Sequence, residues 1–319
     1  MRTASTAALA LLASLTLAAC ETTSDPRAPK LQAMAFANSA WSEPVNLGAP
    51  INSTFLDAQP NLSNDGLSLY FTSTRPGGQG GNDLWVARRA CEACPWDTPV
   101  NLGSVINTAG VEAGSDLSND GHLLFFHSNR PGSLGGNDIY VSRRADPTND
   151  LGWEPPQPLG PDVNTAADEN APTYLQSAED GSANLYFTRG DAVTQGQDLY
   201  YAAVTRSGET LGPAVLVAEL SGPGANDAAP SVRADGREIF FHSTRSGTLG
   251  LADLWVSTRR SVHDPWSTPE NLGSPINTAT FDLQPSLSHD GRTLVWASDR
   301  PGGAGGLDIW MSTRTSSGH

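Results

Sequence analysis

Positive charge is scarce in this sequence. Its 319 residues include 19 lysines and arginines against 34 aspartates and glutamates, which gives a formal net charge of −15. A surface this acidic repels phosphate backbones, so nucleic acid is excluded as a partner. The six histidines form no H-x-x-H or H-E-x-x-H motif, and neither a G-x-S-x-G elbow nor a D-x-D-x-D-G calcium loop is present. The sequence therefore predicts no catalytic residue, no metal and no cofactor.

Cysteine is almost absent, with three residues. Cys91 and Cys94 form a single C-x-x-C motif, which cannot supply the four ligands of a structural zinc site. No thioredoxin-like βαβ pattern surrounds the motif. In an oxidising compartment we expect a local disulfide between Cys91 and Cys94, with an unpaired or redox-active pair as the alternative.

The apolar run over residues 7–19 is too short to cross a bilayer, which takes about 18 apolar residues or more. It follows Arg2 and is typical of a secretory signal, so residues 1–19 are predicted to be a signal peptide. Its ending, Leu17-Ala18-Ala19-Cys20, resembles the lipobox of bacterial lipoproteins. That resemblance implies lipidation of Cys20 and a membrane anchor, and Glu21 implies the periplasmic face of the outer membrane. An ordinary signal peptide with an incidental cysteine is the alternative.

Residues 20–40 show no sustained hydrophobic period. They are interpreted as the lipidated cysteine followed by a flexible tether, which reaches at most about 65 Å when fully extended. Packing of residues 34–36 on the following domain is the alternative.

Glycine and proline are abundant, at 32 and 23 residues, which argues against long helices. Residues 41–315 consist of five repeats. Asp-Gly pairs begin at Asp65, Asp120, Asp180, Asp235 and Asp290. A second series of aspartates keeps the same spacing and opens segments such as NDLWVARR, at Asp83, Asp138, Asp198, Asp253 and Asp308. Repeats of 55 to 60 residues with several short strands are typical of β-propellers.

Each repeat contains four candidate strands, with an Asp-Gly hairpin turn between the first two. Residues 44–48 match a fourth strand with no repeat before them, and the last repeat ends after its third strand. We therefore predict an all-β, five-bladed propeller of four-stranded blades, in which the N-terminal strand completes the last blade and closes the ring.

The repeats resemble the TolB-type, WD40-like β-propeller repeat of bacterial envelope proteins. The last repeat carries the pattern in Asp282, Pro285, Leu287, Ser288, Asp290, Gly291, Leu294, Ser298, Arg300, Pro301, Gly302, Gly303, Asp308, Ile309 and Trp310. This resemblance covers about 270 residues. It implies a TolB-like scaffold, while the fold alone assigns no function.

One face of the predicted propeller carries charged residues around the channel mouth. An acid precedes the first strand of each repeat, at Asp57, Glu112, Glu169, Asp227 and Asp282. An arginine begins the loop between the second and third strands, at Arg75, Arg130, Arg189, Arg245 and Arg300. Purely structural Arg–carboxylate pairing and a rim that also binds a partner are both open.

Nearly identical repeats offer equivalent positions, whereas catalysis needs distinct groups with separated pKa values. We therefore expect a non-enzymatic, lipid-anchored envelope protein whose rim binds a protein, a peptide or a glycan. The alternative is a glycoside hydrolase, because five-bladed propellers resemble certain glycosidases with acids at the channel mouth. Glu112 and Glu169 break the aspartate pattern, and two carboxyls about 5 to 9.5 Å apart would act as acid and base or nucleophile.

Overall fold

The computed structural model describes residues 41–177, 179–191 and 196–315, apart from the side chain of Asp191. Within these ranges the chain forms twenty β-strands and no α-helix. No helix in this part of the chain is long and apolar enough to span a membrane. The predicted signal peptide, the predicted lipidation site Cys20 and the predicted tether lie outside the described residues.

The strands form five antiparallel sheets of four strands, which we call blades. Blade 1 contains β2 (Asp57–Leu62), β3 (Ser68–Ser73), β4 (Asp83–Arg88) and β5 (Val100–Asn101). Blade 2 contains β6 (Glu112–Leu117), β7 (Leu123–Ser128), β8 (Asp138–Arg143) and β9 (Gln157–Pro158). Blade 3 contains β10 (Glu169–Gln176), β11 (Ala183–Asp191), β12 (Gly196–Val204) and β13 (Val215–Leu216). Blade 4 contains β14 (Asp227–Val232), β15 (Glu238–Ser243), β16 (Asp253–Thr258) and β17 (Glu270–Asn271).

Blade 5 is assembled from both ends of the propeller. It contains β18 (Asp282–Leu287), β19 (Thr293–Ser298), β20 (Asp308–Thr313) and, from the N-terminal side, β1 (Val45–Asn46). In the register of β1 with β20, Val45 lies opposite Met311 and Asn46 opposite Trp310. The predicted five-bladed propeller, closed by its N-terminal strand, is confirmed.

Strand direction alternates within a blade, so the connections divide between two faces of the ring. We call the upper face the one with the loops before each first strand and between the second and third strands. The lower face has the Asp-Gly hairpin turns and the loops between the third and fourth strands. In the hairpin of blade 1, Gly66 has a φ of 68°, and the Asp65 side chain accepts a hydrogen bond from the Leu67 amide at 3.0 Å. This turn chemistry explains why the Asp-Gly pairs mark the repeats.

Hydrophobic clusters fill the spaces between neighbouring blades. One cluster joins Tyr70, Leu84 and Ile106 of blade 1 to Phe126 and Tyr140 of blade 2, all of them buried. Four further clusters join the other neighbouring pairs. A single blade cannot bury both of its faces, so the closed ring completes the core.

At four of the five junctions between blades, one asparagine connects the loop before a first strand to the third strand of the preceding blade. The Asn52 amide bonds to both the N–H and the C=O of Ile309, at 2.8 and 2.9 Å, and so closes the seam between blades 5 and 1. The same pair of bonds is made by Asn107, Asn164 and Asn277. At the junction of blades 3 and 4, Ser221 makes one longer bond instead, from the Leu199 amide at 3.2 Å.

Candidate functional site

The ten charged rim residues form five ion pairs, each within one blade. The pairs are Arg75–Asp57 (2.6 Å), Arg130–Glu112 (3.3 Å), Arg189–Glu169 (2.8 Å), Arg245–Asp227 (2.5 Å) and Arg300–Asp282 (2.5 Å). All five carboxylate side chains are 0 % exposed. The structure therefore places these acids beneath the rim surface, in the structural pairing that the sequence left open.

Each rim carboxylate also organises the loop that precedes it. The Asp57 carboxylate accepts hydrogen bonds from the Ser53 amide at 2.6 Å and from the Ser73 hydroxyl at 2.6 Å. Its partner Arg75 donates to the Ile51 carbonyl and lies over the rings of Phe71 and Trp85. Because nearly every polar atom of these groups has a partner within the blade, the pairs stabilise the blade. Binding of a partner by the rim stays a prediction.

Blade 3 forms the same ion pair with its arginine at a different backbone position. Arg189 lies opposite Glu169 in the strand register, where the other blades have a serine such as Ser73 opposite Asp57. Its guanidinium still donates to the carbonyl of the preceding loop, at Val163, and lies over Phe187 and Tyr200. Burial raises the pKa of Glu169 above its ordinary value, against the lowering effects of Thr165 and Arg189. Neither Glu112 nor Glu169, the two acids singled out for the glycoside-hydrolase alternative, is exposed to solvent.

The first strands line a narrow central channel, which holds a cavity of about 40 Å³. One ring of the channel wall consists of Asn61, Asp116, Thr173, Ser231 and Ser286. Asp116 is the carboxyl in this ring, and it accepts hydrogen bonds from Asn61 Nδ2 at 2.5 Å and from the Tyr174 amide at 2.6 Å. Burial raises its pKa to about 7. Sequence reasoning missed Asp116, although it stands at a position where the other repeats carry neutral side chains.

Replacing Asp116 with asparagine should change how stability depends on pH. Because the folded-state pKa is raised, the folded protein binds the proton more tightly than the unfolded chain, and the free energy of unfolding falls as pH rises from about 4 to about 7. An asparagine side chain at this position would remain neutral and keep an acceptor for the Tyr174 amide. We expect Asp116→Asn to gain about 3 kcal/mol relative to the wild type between pH 5 and pH 8, measured by urea unfolding at both values. A pH-independent difference between the two proteins would contradict the assignment.

His127 and His242 lie at equivalent positions of β7 and β15. Burial lowers the pKa of each to about 4, so both rings are neutral. His127 Nδ1 accepts a hydrogen bond from the Ala171 amide of the next blade at 3.2 Å, and His242 Nδ1 accepts one from the Gln284 amide at 3.4 Å. Both rings therefore link neighbouring blades.

Cys91 and Cys94 lie in the lower-face loop of blade 1 and form a disulfide, with the Cα atoms 5.0 Å apart. The described residues contain no group of three or more histidine, cysteine or acidic side chains arranged to hold a metal ion.

A much larger cavity, of about 840 Å³, opens on the lower face between blades 3 and 4. We call it the lower cleft. Its aromatic lining consists of Tyr186, Tyr201 and Trp266. Its charged and titratable lining consists of Asp180, Arg206, Glu219, Arg259, His263 and Asp264. The volume lies within the range of small-molecule sites, and apolar walls with a few polar groups are typical of them.

The junction of blades 3 and 4, where the lower cleft lies, lacks two groups that fill the junction of blades 1 and 2. At that junction Arg88 of β4 forms an ion pair with Asp150 of the following blade, at 2.5 Å. Ala203 of β12 takes the position of Arg88. The facing loop of blade 4, residues 259–269, spans 11 residues against 13 for residues 144–156 of blade 2.

The comparisons with known proteins identify the fold. No family model matches the chain, and no curated protein matches it. Among solved structures, the α-L-arabinofuranosidase of Lactobacillus brevis is 16% identical with a TM-score of 0.55, covering 83% of this chain and 92% of its own. The arabinanase of Bacillus subtilis is 14% identical with a TM-score of 0.54, covering 84% and 96%. A GH43 enzyme of Xanthomonas citri is 16% identical with a TM-score of 0.57, covering 89% and 93%. These structures share the propeller fold.

Two predictions are corrected by these findings. The resemblance to TolB-type repeats is wrong, because the similar solved structures are arabinofuranosidases and arabinanases. The expectation of a non-enzymatic envelope binder is overturned with it, since these structures are of enzymes that act on glycans. The motif residues that suggested TolB include Asp282, Arg300 and Asp290, and these make contacts within a blade. The outer-membrane location stays a prediction.

Proposed function

We propose that the protein binds a glycan and hydrolyses a glycosidic bond, with the lower cleft as its site. The observation that carries the proposal is the cleft itself, where a cavity of about 840 Å³ brings aromatic walls together with carboxyl groups. The fold shared with arabinofuranosidases and arabinanases supports it.

Glycoside hydrolysis needs two carboxyl groups in different protonation states. One protonates the leaving oxygen as the glycosidic C–O bond breaks, and the other accepts a proton from water or attacks the sugar, so that one water is added in the net reaction. Three acids line the lower cleft. Glu219 is exposed, Asp264 pairs with the exposed Arg260 at 3.6 Å, and Asp180 lies 3.5 Å from His263.

The upper face is a poorer candidate for this chemistry. Its five acids are enclosed in ion pairs, and the channel cavity of about 40 Å³ is too small for a sugar ring. Asp116 is the one carboxyl among the described residues that line this channel cavity, so it lacks a second carboxyl to act with.

The test is hydrolysis of arabinan-derived oligosaccharides and of aryl α-L-arabinofuranosides by the purified protein. We expect turnover that falls at least 100-fold in Glu219→Gln or in Asp264→Asn, as for loss of a catalytic acid or base. The matched control is Glu169→Gln on the upper face. Turnover that is lost in Glu169→Gln but kept in both cleft variants would move the site to the upper face, provided that melting curves show Glu169→Gln to be folded. No turnover on any glycan would refute the proposal.

A further inference from the structure

The junction of blades 1 and 2 shows how this fold binds a carboxylate on its lower face. The Asp150 carboxylate accepts hydrogen bonds from Tyr70 Oη at 2.6 Å, from Arg144 Nη1 at 2.8 Å and from Ser68 Oγ at 3.0 Å. These four side chains are buried. The tyrosine belongs to one blade, and the arginine and the carboxylate belong to the next.

The junction of blades 3 and 4 repeats the tyrosine and the arginine of that cluster. Tyr186 occupies the same position in blade 3 as Tyr70 does in blade 1, because the strand registers of the two blades place both tyrosines opposite equivalent residues. Arg144 and Arg259 each donate Nε to the glycine of their own hairpin turn, at 2.7 and 2.6 Å. Each lies over a tryptophan, at 4.3 Å for Arg144 and 4.1 Å for Arg259. Each also donates to the tyrosine of the preceding blade, at 3.1 and 3.4 Å.

What the second cluster lacks is the carboxylate. Within the described residues, Arg259 forms no ion pair, and Asp264, the acid of its loop, pairs with Arg260 instead. At the junction of blades 4 and 5 the matching arginine, Arg314, is again satisfied by an acid of the protein, since both guanidinium Nη atoms bond to Glu238 at 2.9 and 2.6 Å. Tyr186 and Arg259 instead line the lower cleft.

We propose that the Tyr186 hydroxyl and the Arg259 guanidinium bind the carboxylate of a uronic acid residue in a glycan that occupies the lower cleft. This inference rests on the proposed function and names its substrate class. An ionised carboxylate bonded to an arginine and a hydroxyl makes the stronger, charge-assisted kind of hydrogen bond. Asp180, Glu219 and Asp264 would repel a polyanion, so the ligand is a glycan with one uronic acid rather than a polyuronate.

The test compares an aldotriouronic acid with its carboxyl-reduced, neutral counterpart by isothermal titration calorimetry. We expect the acidic trisaccharide to bind at least tenfold more tightly, because a hydrogen bond to a charged group contributes about that much. Tyr186→Phe should remove about tenfold of this affinity. The matched control is Tyr200→Phe in the same blade, whose ring faces Arg189 and which should bind like the wild type.

A second variant tests the missing carboxylate directly. Asn184 occupies the strand position of Glu238, so Asn184→Glu should place a carboxylate on Arg259 and abolish binding of the acidic trisaccharide. Melting curves establish that each variant is folded. Equal affinity for the acidic and neutral trisaccharides would overturn the inference, as would unchanged binding by Tyr186→Phe. Equal binding of hexaglutamate would also overturn it, because the site would then recognise carboxylates without the sugar.

The two proposals fail in different ways. Binding of the acidic trisaccharide without hydrolysis of any glycan would refute the hydrolase and leave the uronate site standing. Hydrolysis of neutral arabinan oligosaccharides with no preference for an acidic glycan would refute the uronate site and leave the hydrolase standing.

Discussion

Replacing Arg300 with methionine should lower the free energy of unfolding by about 3–5 kcal/mol. Arg300 is 8 % exposed, and its guanidinium lies 2.5 Å from the fully buried Asp282 carboxylate. Methionine fills part of the space over Trp296 and Trp310, but it leaves the carboxylate buried without its counter-charge. An uncompensated buried charge is costly because it has lost its hydration. Urea unfolding followed by tryptophan fluorescence measures the change.

The control is Arg260→Met, which removes an arginine that is 94 % exposed and lies 3.6 Å from its partner Asp264. Exposed pairs of this kind contribute about 0–1 kcal/mol, so this variant should unfold almost like the wild type. Similar small changes in the free energy of unfolding of both variants would show that the rim pairs do not stabilise the blades in which they lie.

Replacing Asn52 with alanine should lower the free energy of unfolding by about 1–3 kcal/mol, because the buried Ile309 N–H loses its partner, whereas the Ile309 C=O keeps the Leu47 amide at 3.1 Å. Asn52 is 4 % exposed, and its amide bonds to the N–H and the C=O of the fully buried Ile309. It also donates to Asn46 Oδ1 at 2.9 Å, so the substitution loosens β1 at the seam of the ring. Urea unfolding gives the change in stability, and proteolysis tests whether the seam opens first.

Ser221→Ala provides the comparison, because Ser221 makes a single longer bond at the equivalent position between blades 3 and 4. We expect a loss of about 1 kcal/mol or less there. If both substitutions cost the same, the asparagine would act as a loop residue and not as a connection between blades.

The architecture was predictable because the same local turn and strand patterns recur in every blade. Asp65 and Gly66 build a hairpin turn from local chemistry, and four more Asp-Gly pairs at similar spacing predict the blade count. The unpaired fourth strand at residues 44–48 predicted the closure, which the pairing of Val45 with Met311 realises. These signals are local or periodic, and both kinds are readable in a sequence.

Asp116 and the lower cleft could not be predicted from such local or periodic patterns. Asp116 owes its raised pKa to a position on the channel axis, where it contacts Asn61 of blade 1 and the Tyr174 amide of blade 3. The lower cleft lies at a junction that has Ala203 in place of an arginine and no acid on Arg259. Such absences can be recognised only by comparison with a junction where both groups are present. The rim residues, in contrast, were prominent in the sequence because every blade needs them.

The divided blade 5 has a consequence for how the chain is made. Val45 of β1 leaves the ribosome 266 residues before its partner Met311, which at ordinary synthesis rates is roughly 13 to 53 seconds. Over that interval the four complete blades have no closed ring to hold them. β1 is two residues long, too short to recruit a strand from another nascent chain. We therefore expect β1 to offer little strand edge for pairing with another chain before β20 is made.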